Sequence, residues 1–269
     1  MARKKQRGTC ALCLKEKELR RSHLLGRAIY LLNRDGGNDD PVLMTPQLIT
    51  PTPRQIWCHL LCGDCEQSFT RYGESLVMRL VQRKRDFALF NRLNVAVPVW
   101  TGQNLAAYSG SAIGIDTEQL AYFALSVLWR SGVQQWRTLN QQTTGVSLGT
   151  FEQPIRKYLA GEAGFPPGIA VNVRVCTDFG SRFGTFAPTD TKGGTVTPSG
   201  IYPTFGLLVR GLWFHIVTSS NGLPADLVEI CCVNSAKKII FKRDCEQEML
   251  HSGGHIMATA AVSPKLSAP

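Results

Sequence analysis

Cys10-Ala-Leu-Cys13 and, further along, Leu60-Leu61-Cys62-Gly-Asp-Cys65-Glu66 are the two stretches that decide the fold of the N-terminal region. Each holds a C-x-x-C pair, and together they supply four thiolates, the ligand count that a tetrahedral Zn²⁺ requires. The two-residue gap lets both sulfurs of a pair reach one ion from a tight turn. A metal held by pairs this far apart must be assembled by tertiary structure. Closing so long a loop restricts the unfolded chain and so stabilises the module. A closed site of four thiolates has no open coordination position, so Cys10, Cys13, Cys62 and Cys65 are expected to hold a structural Zn²⁺. Cys58 and His59 lie close enough in sequence to replace one of the four, but the two regular pairs make the simpler set.

Composition limits the classes that remain. The chain has 269 residues, 30 Lys and Arg against 20 Asp and Glu, and a net charge of +10. A pI near 9.3 favours an anionic partner, with nucleic acid ahead of an anionic membrane surface. A 43% hydrophobic and 19% charged composition is that of a globular protein, long enough for a small module plus a larger domain. Nine cysteines with no export signal read as metal ligands plus buried thiols, and the expected location is cytoplasmic. The longest apolar stretch, Phe205 to Val217, contains Arg210 and His215 and is too short to span a bilayer.

Periodicity divides the chain into a zinc module over residues 1–95, an α+β domain over 112–255 and a frayed tail over 256–269. Glu66 to Arg85 reads as a helix burying Phe69, Tyr72, Leu76 and Leu80. Ser22 to Leu32 reads as a shorter helix capped by Ser22. Gly36 to Pro53 reads as an irregular insertion. Asp116 opens a strong helix running to about Trp136, and Thr150 to Ala160 forms another. Ile169–Val175, parts of Phe205–Val217, Leu227–Val233 and Lys238–Lys242 alternate as strands of an antiparallel sheet.

Cys10-x-x-Cys13, then Ser22-His23, then Leu60-Leu61-Cys62-x-x-Cys65-Glu66 resembles the zinc-bearing branch of the HNH endonucleases, the His-Me finger fold. The resemblance covers roughly Cys10 to Leu80. It implies a zinc treble-clef (ββα-metal-like) module with His23 as the general base that deprotonates water, and Glu66 where the family places a ligand to a catalytic divalent metal such as Mg²⁺. Glu74, eight residues on, is expected to assist. Two positions depart from the family pattern: Ser22 stands where an acidic residue is usual, and no Asn lies near Trp57. The function implied is metal-dependent hydrolysis of DNA phosphodiesters, in a nuclease or nuclease subunit of phage defence or a mobile element. The alternative is a non-catalytic treble-clef that binds nucleic acid or a protein partner, with the C-terminal domain as the docking part.

Arg3, Lys4, Lys5, Arg7, Arg20, Arg21 and Arg27 bracket the first pair, and Arg79, Arg83 and Lys84 follow the second. Brought together, they would contact phosphates without sequence preference. The C-terminal half carries no comparable motif. Trp129-Arg130 and Trp136-Arg137 read as a packing stripe with arginines snorkelling to water. Cys231, Cys232 and His215 read as buried strand residues, and His251 and His255 as parts of a flexible turn.

Overall fold

The structure is a computed structural model that describes residues 6–33, 42–45, 48–51, 55–83, 86–137, 143–178, 182, 184–191 and 193–245. The expected tail, with His251 and His255, lies outside them, as do Arg3, Lys4, Lys5 and Lys84.

The N-terminal region begins with β1 (Arg7–Thr9) and β2 (Glu16–His23), joined by a turn that carries Cys10 and Cys13. Then come α1 (Arg27–Asn33), a short hairpin of β3 (Val42–Thr45) and β4 (Leu48–Pro51), and β5 (Trp57–Cys62). β1, β2 and β5 form an antiparallel sheet in that order. The hairpin falls inside the insertion expected to be irregular, and its β-branched Val42, Thr45, Ile49 and Thr50 favour extended backbone. Ser22 and His23 are strand residues, paired with Cys58 and Trp57. The helix expected from Ser22 therefore starts only at Arg27, and the Ser22 hydroxyl accepts from the Leu61 N–H at 3.0 Å instead of capping it.

From β5 the chain passes into α2 (Gly63–Phe69), a π-helical turn (Thr70–Glu74) and α3 (Ser75–Leu80), followed by α4 (Ala88–Val95). The π turn inserts an extra residue into the helical phase. Phe69, Gly73, Leu76, Val77 and Leu80 face the core, while Tyr72, expected there, is 49% exposed. The helix ends at Leu80, with Val81 extended, short of the expected Arg85.

The C-terminal part adds β6 (Trp100–Thr101), β7 (Leu105–Ser109), α5 (Thr117–Val133), β8 (Trp136–Arg137), β9 (Thr143–Thr144), α6 (Glu152–Leu159) and β10 (Ile169–Cys176). It continues through β11 (Thr185–Asp190), β12 (Thr195–Thr197), β13 (Gly200–Tyr202), β14 (Thr204–Val209), β15 (Leu212–Thr218), α7 (Ala225–Glu229) and β16 (Ile239–Arg243). A seven-stranded sheet has the order β11-β14-β15-β10-β16-β7-β6. It is antiparallel throughout except for the parallel pair β10–β16, a departure from the all-antiparallel expectation. The chain is thus an α+β protein. Leu227–Val233 is not a strand. Leu227 and Cys231, four residues apart, sit together against Ala170 and Val217, a spacing that suits the helical turn of α7.

α5 is the centre of the molecule. The Asp116 carboxylate caps it by accepting from the Gln119 N–H at 3.1 Å, as its sequence position predicts. Leu120 to Ser131 are all buried, so the helix is covered on every side. One side meets the π turn: a Cβ on Gly73 would lie 2.9 Å from the Phe123 backbone. Another meets the large sheet, with the Phe123 and Phe214 rings 5.6 Å apart. One hydrophobic core accordingly runs from Cys10 and Leu61 through α5 to Phe214 and Ile240. Gly73→Ala is expected to destabilise by about 1–3 kcal/mol through overpacking, and Asp116→Ala by about 1 kcal/mol through loss of the cap. Urea denaturation of the two variants checks both magnitudes.

Candidate metal centre and adjoining charged site

The β1–β2 turn and the β5–α2 junction present their cysteines to one another. The Sγ atoms of Cys10, Cys13, Cys62 and Cys65 all lie within 4.8 Å of one another, and those of Cys13 and Cys62 are 4.0 Å apart. Sulfurs bound tetrahedrally at 2.3 Å to one zinc are about 3.8 Å apart, so the cluster fits the ion. Cys10 Sγ also accepts from the Cys62 N–H at 3.3 Å. A hydrogen bond from the Cys65 thiol, helped by backbone N–H groups of Cys13, Cys62 and Leu12, brings the Cys10 thiol down to about 4. Cys13, by burial, and Cys65, by that same hydrogen bond, are held above the usual thiol value. Cys58 and His59 stand outside it. Burial and the nearby Glu66 charge push Cys58 up to about 11, and His59 sets its ring edge-on to exposed Trp57. Asp64, within the second knuckle, pairs with Lys17 at 2.6 Å on the surface.

His23, Glu66 and Glu74 come from the end of β2, the first turn of α2 and the end of the π turn, and the fold gathers them around Arg130 of α5. The Arg130 side chain is 1% exposed. Its Nη2 donates to Glu74 Oε1 at 2.9 Å, its Nη1 to the His23 carbonyl at 3.0 Å and its Nε to the Ser126 carbonyl at 3.3 Å. The guanidinium also lies over the Phe69 ring at 5.2 Å. The expectation that this arginine snorkels to water is therefore wrong. It lies in the last turn of α5, beyond the reach of solvent, and a buried charge must find partners.

Desolvation sets the titration of the neighbours. It holds the His23 imidazole below its usual value, and the positive charges of Arg130 and Arg27 act the same way. Burial pushes the Glu66 carboxyl up, while Arg130 and a hydrogen bond from Ser22 pull it back. Glu66 Oε1 is buried without a hydrogen-bond partner among the described residues. His23, Glu66 and Glu74 do not form a set with all ligand atoms within 4.8 Å of one another, so the three are neighbours around Arg130 and not a preformed metal cage.

The sequence pattern puts Arg130 at the surface and gives no role to Gly26 or Arg156. A Cβ on Gly26 would lie 2.9 Å from the Glu74 carboxylate, so only glycine lets that acid approach the chain. Arg156 of α6, paired with Glu162, donates to the Leu12 carbonyl inside the first knuckle at 2.7 Å. A charge placed in an otherwise apolar helical run was the signal for Arg130. For the other two the sequence carried none.

Among the basic candidates, Arg20 reaches the second knuckle beside Gly63, Arg27 acts on His23, and exposed Arg21 stacks on Trp57 at 4.3 Å. Arg7 is exposed on β1. Arg79 is exposed on α3 and Arg83 just past its end; Arg79 stands about 20 Å along the helix from Glu66 at 1.5 Å per residue. These two arginines therefore extend away from the charged site. No helix among the described residues is long and apolar enough to cross a membrane. Comparison with known proteins returns no match: no family model, curated protein or solved structure aligns with the chain.

Arg130→Met removes one member of a buried pair and strands Glu74, so a loss of about 3–5 kcal/mol is expected. Adding Glu74→Gln to that variant should recover part of it. Denaturant midpoints of the wild type, both single variants and the double variant complete the cycle.

Proposed function

We propose that the chain is an HNH-like, zinc-stabilised nuclease that hydrolyses phosphodiester bonds of DNA. The N-terminal knuckle, the β2–β5 pair and the helix that begins within the second knuckle would then be a treble-clef of the ββα-metal type. The observation that carries this reading is the gathering of His23, Glu66 and Glu74 at one place beside the thiolate cluster, although β5 and α2 are far from β2 in sequence.

Each residue has a chemical part in this reading. His23, held neutral by desolvation and by two arginines, is in the form that accepts a proton from water. Glu66 offers a buried oxygen with no protein partner, which a hard cation suits. Mg²⁺ is commonly held by one or two carboxylates together with substrate phosphates and water, so one carboxylate with an unbonded oxygen meets the requirement. When bound, the ion would stabilise charge on the scissile phosphate. Glu74, tied to Arg130, shapes the field around both groups. Exposed Arg20, Arg21 and Arg27 of the same module would provide phosphate contacts.

Supercoiled plasmid incubated with Mg²⁺ or Mn²⁺ is expected to be nicked by the wild type. His23→Ala and Glu66→Gln should lower that rate by at least about 100-fold, the usual scale for losing a general base, with secondary structure unchanged. DNA retardation without cleavage under either metal, unaltered by His23→Ala, would instead support a binding module.

The pH dependence has a definite sign. His23 has a lowered pKa in the folded state, so the unfolded chain binds the proton more readily below the ordinary value of 6.5. Its contribution to stability is therefore complete above 6.5 and declines as the pH falls through the interval below it. The acid limb of the nicking rate is expected in the same interval and should vanish from the residual rate of His23→Ala. A rate profile with its acid limb above 6.5 would assign the base to another group.

A further inference from the structure

We propose that Cys176, Asp178 and Cys245 bind a second metal ion, Zn²⁺ or another thiophilic divalent cation, at the C-terminal ends of two central strands of the large sheet, as a site separate from the N-terminal cluster. β10 and β16 are parallel neighbours with Cys176 opposite Arg243. This register brings the end of β10 beside the segment that follows β16, and so places Cys176 and Asp178 next to Cys245. The three ligand atoms lie within 4.8 Å of one another. The Cys245 N–H donates to Asp178 Oδ1 at 2.8 Å, and the Thr177 N–H donates to the Arg243 carbonyl at 2.9 Å, so the backbone fixes both arms of the site.

The surroundings suit a soft ion. Both cysteines are fully buried beside Leu208 and Trp213, with Phe186 packed against them. Such apolar walls exclude competing water. Asp178 is half-buried, which gives the ion an entry. Two thiolates and a carboxylate select zinc-like metals over Mg²⁺ or Ca²⁺, which prefer all-oxygen ligands. Three protein ligands with one open position is the pattern of a zinc that can still take up water or a small ligand, unlike the closed four-thiolate cluster. On binding, the two thiols release their protons to solvent and form two metal–sulfur bonds, with no redox change.

Metal content per chain tests the assignment. Full-length protein purified with zinc under reducing conditions should hold about two zinc ions, falling to about one in Cys176→Ser with helix and strand content unchanged. Cys62→Ser reports the N-terminal cluster separately. Should Cys176→Ser not fold, Asp178→Asn serves in its place. Chelator competition should then show one zinc class weakened at least about tenfold and the other unaltered. Cobalt substitution of the wild type should show thiolate-to-metal absorption that diminishes, without disappearing, in either variant. Zinc content and cobalt absorption unchanged by Cys176→Ser, or unchanged by Asp178→Asn where the first does not fold, overturn the proposal. So does a Cys176–Cys245 disulfide found by mass spectrometry in the reduced, metal-loaded protein.

Discussion

The ion pair between Arg130 and Glu74 is the constraint on which the arrangement of this molecule depends. A guanidinium withdrawn from water costs several kcal/mol unless its donors are matched. Here three nitrogens are matched, to Glu74, to the His23 carbonyl and to the Ser126 carbonyl. Those partners belong to the π turn, β2 and α5 itself. One side chain therefore sets the distance between the end of a strand, an irregular helical turn and the central helix. The π turn carries Glu74 to it, and Gly73 of the same turn packs against Phe123.

The zinc-ligand module leans on the C-terminal half in the same way at a second point. A small sheet with one helix has too little apolar surface to be stable alone, and such modules depend on a metal or a larger neighbour. This one has both. The four thiols join the two knuckles, and Arg156, held by Glu162, donates to the Leu12 carbonyl between Cys10 and Cys13. A charge-assisted bond to that carbonyl steadies the turn from which two ligands project. Removal of the metal would thus loosen the knuckles first, while α5 and the large sheet keep their own packing.

The parts of the structure legible from sequence were those set by local chemistry. The C-x-x-C pairs announced a cluster because ligand spacing is a local property. Asp116 announced α5 because an N-cap acts over three residues. Alternation announced β10, β15 and β16 for the same reason. The failures are equally specific. Ser22 looks like a cap but pairs in β2, because the partner strand β5 arrives from far along the chain. Tyr72 lies outside the core because the residue that meets α5 is its neighbour Gly73, and a glycine leaves no mark in apolar periodicity. Arg130 was assigned to the surface because arginines usually reach water, and its true partners, Glu74 and the His23 carbonyl, are distant in sequence. Residues that act at a distance from their neighbours in sequence were the ones that periodicity missed.

The charged groups beside the thiol cluster also bear on why this region is built as it is. Replacing a buried ion pair with apolar side chains of similar volume is often neutral or stabilising. Stability alone therefore gives little reason to keep Arg130 and Glu74 inside the core, with Glu66 half-buried beside them and one oxygen unsatisfied. A purely structural module would be simpler with leucine or methionine in their place. What the charges do provide is an imidazole biased toward its neutral form and a carboxylate with one unbonded oxygen, both within the field of Arg130. That combination has a cost in folding and a use in proton transfer near an anionic substrate, and this asymmetry is what favours the catalytic proposal over the purely architectural one.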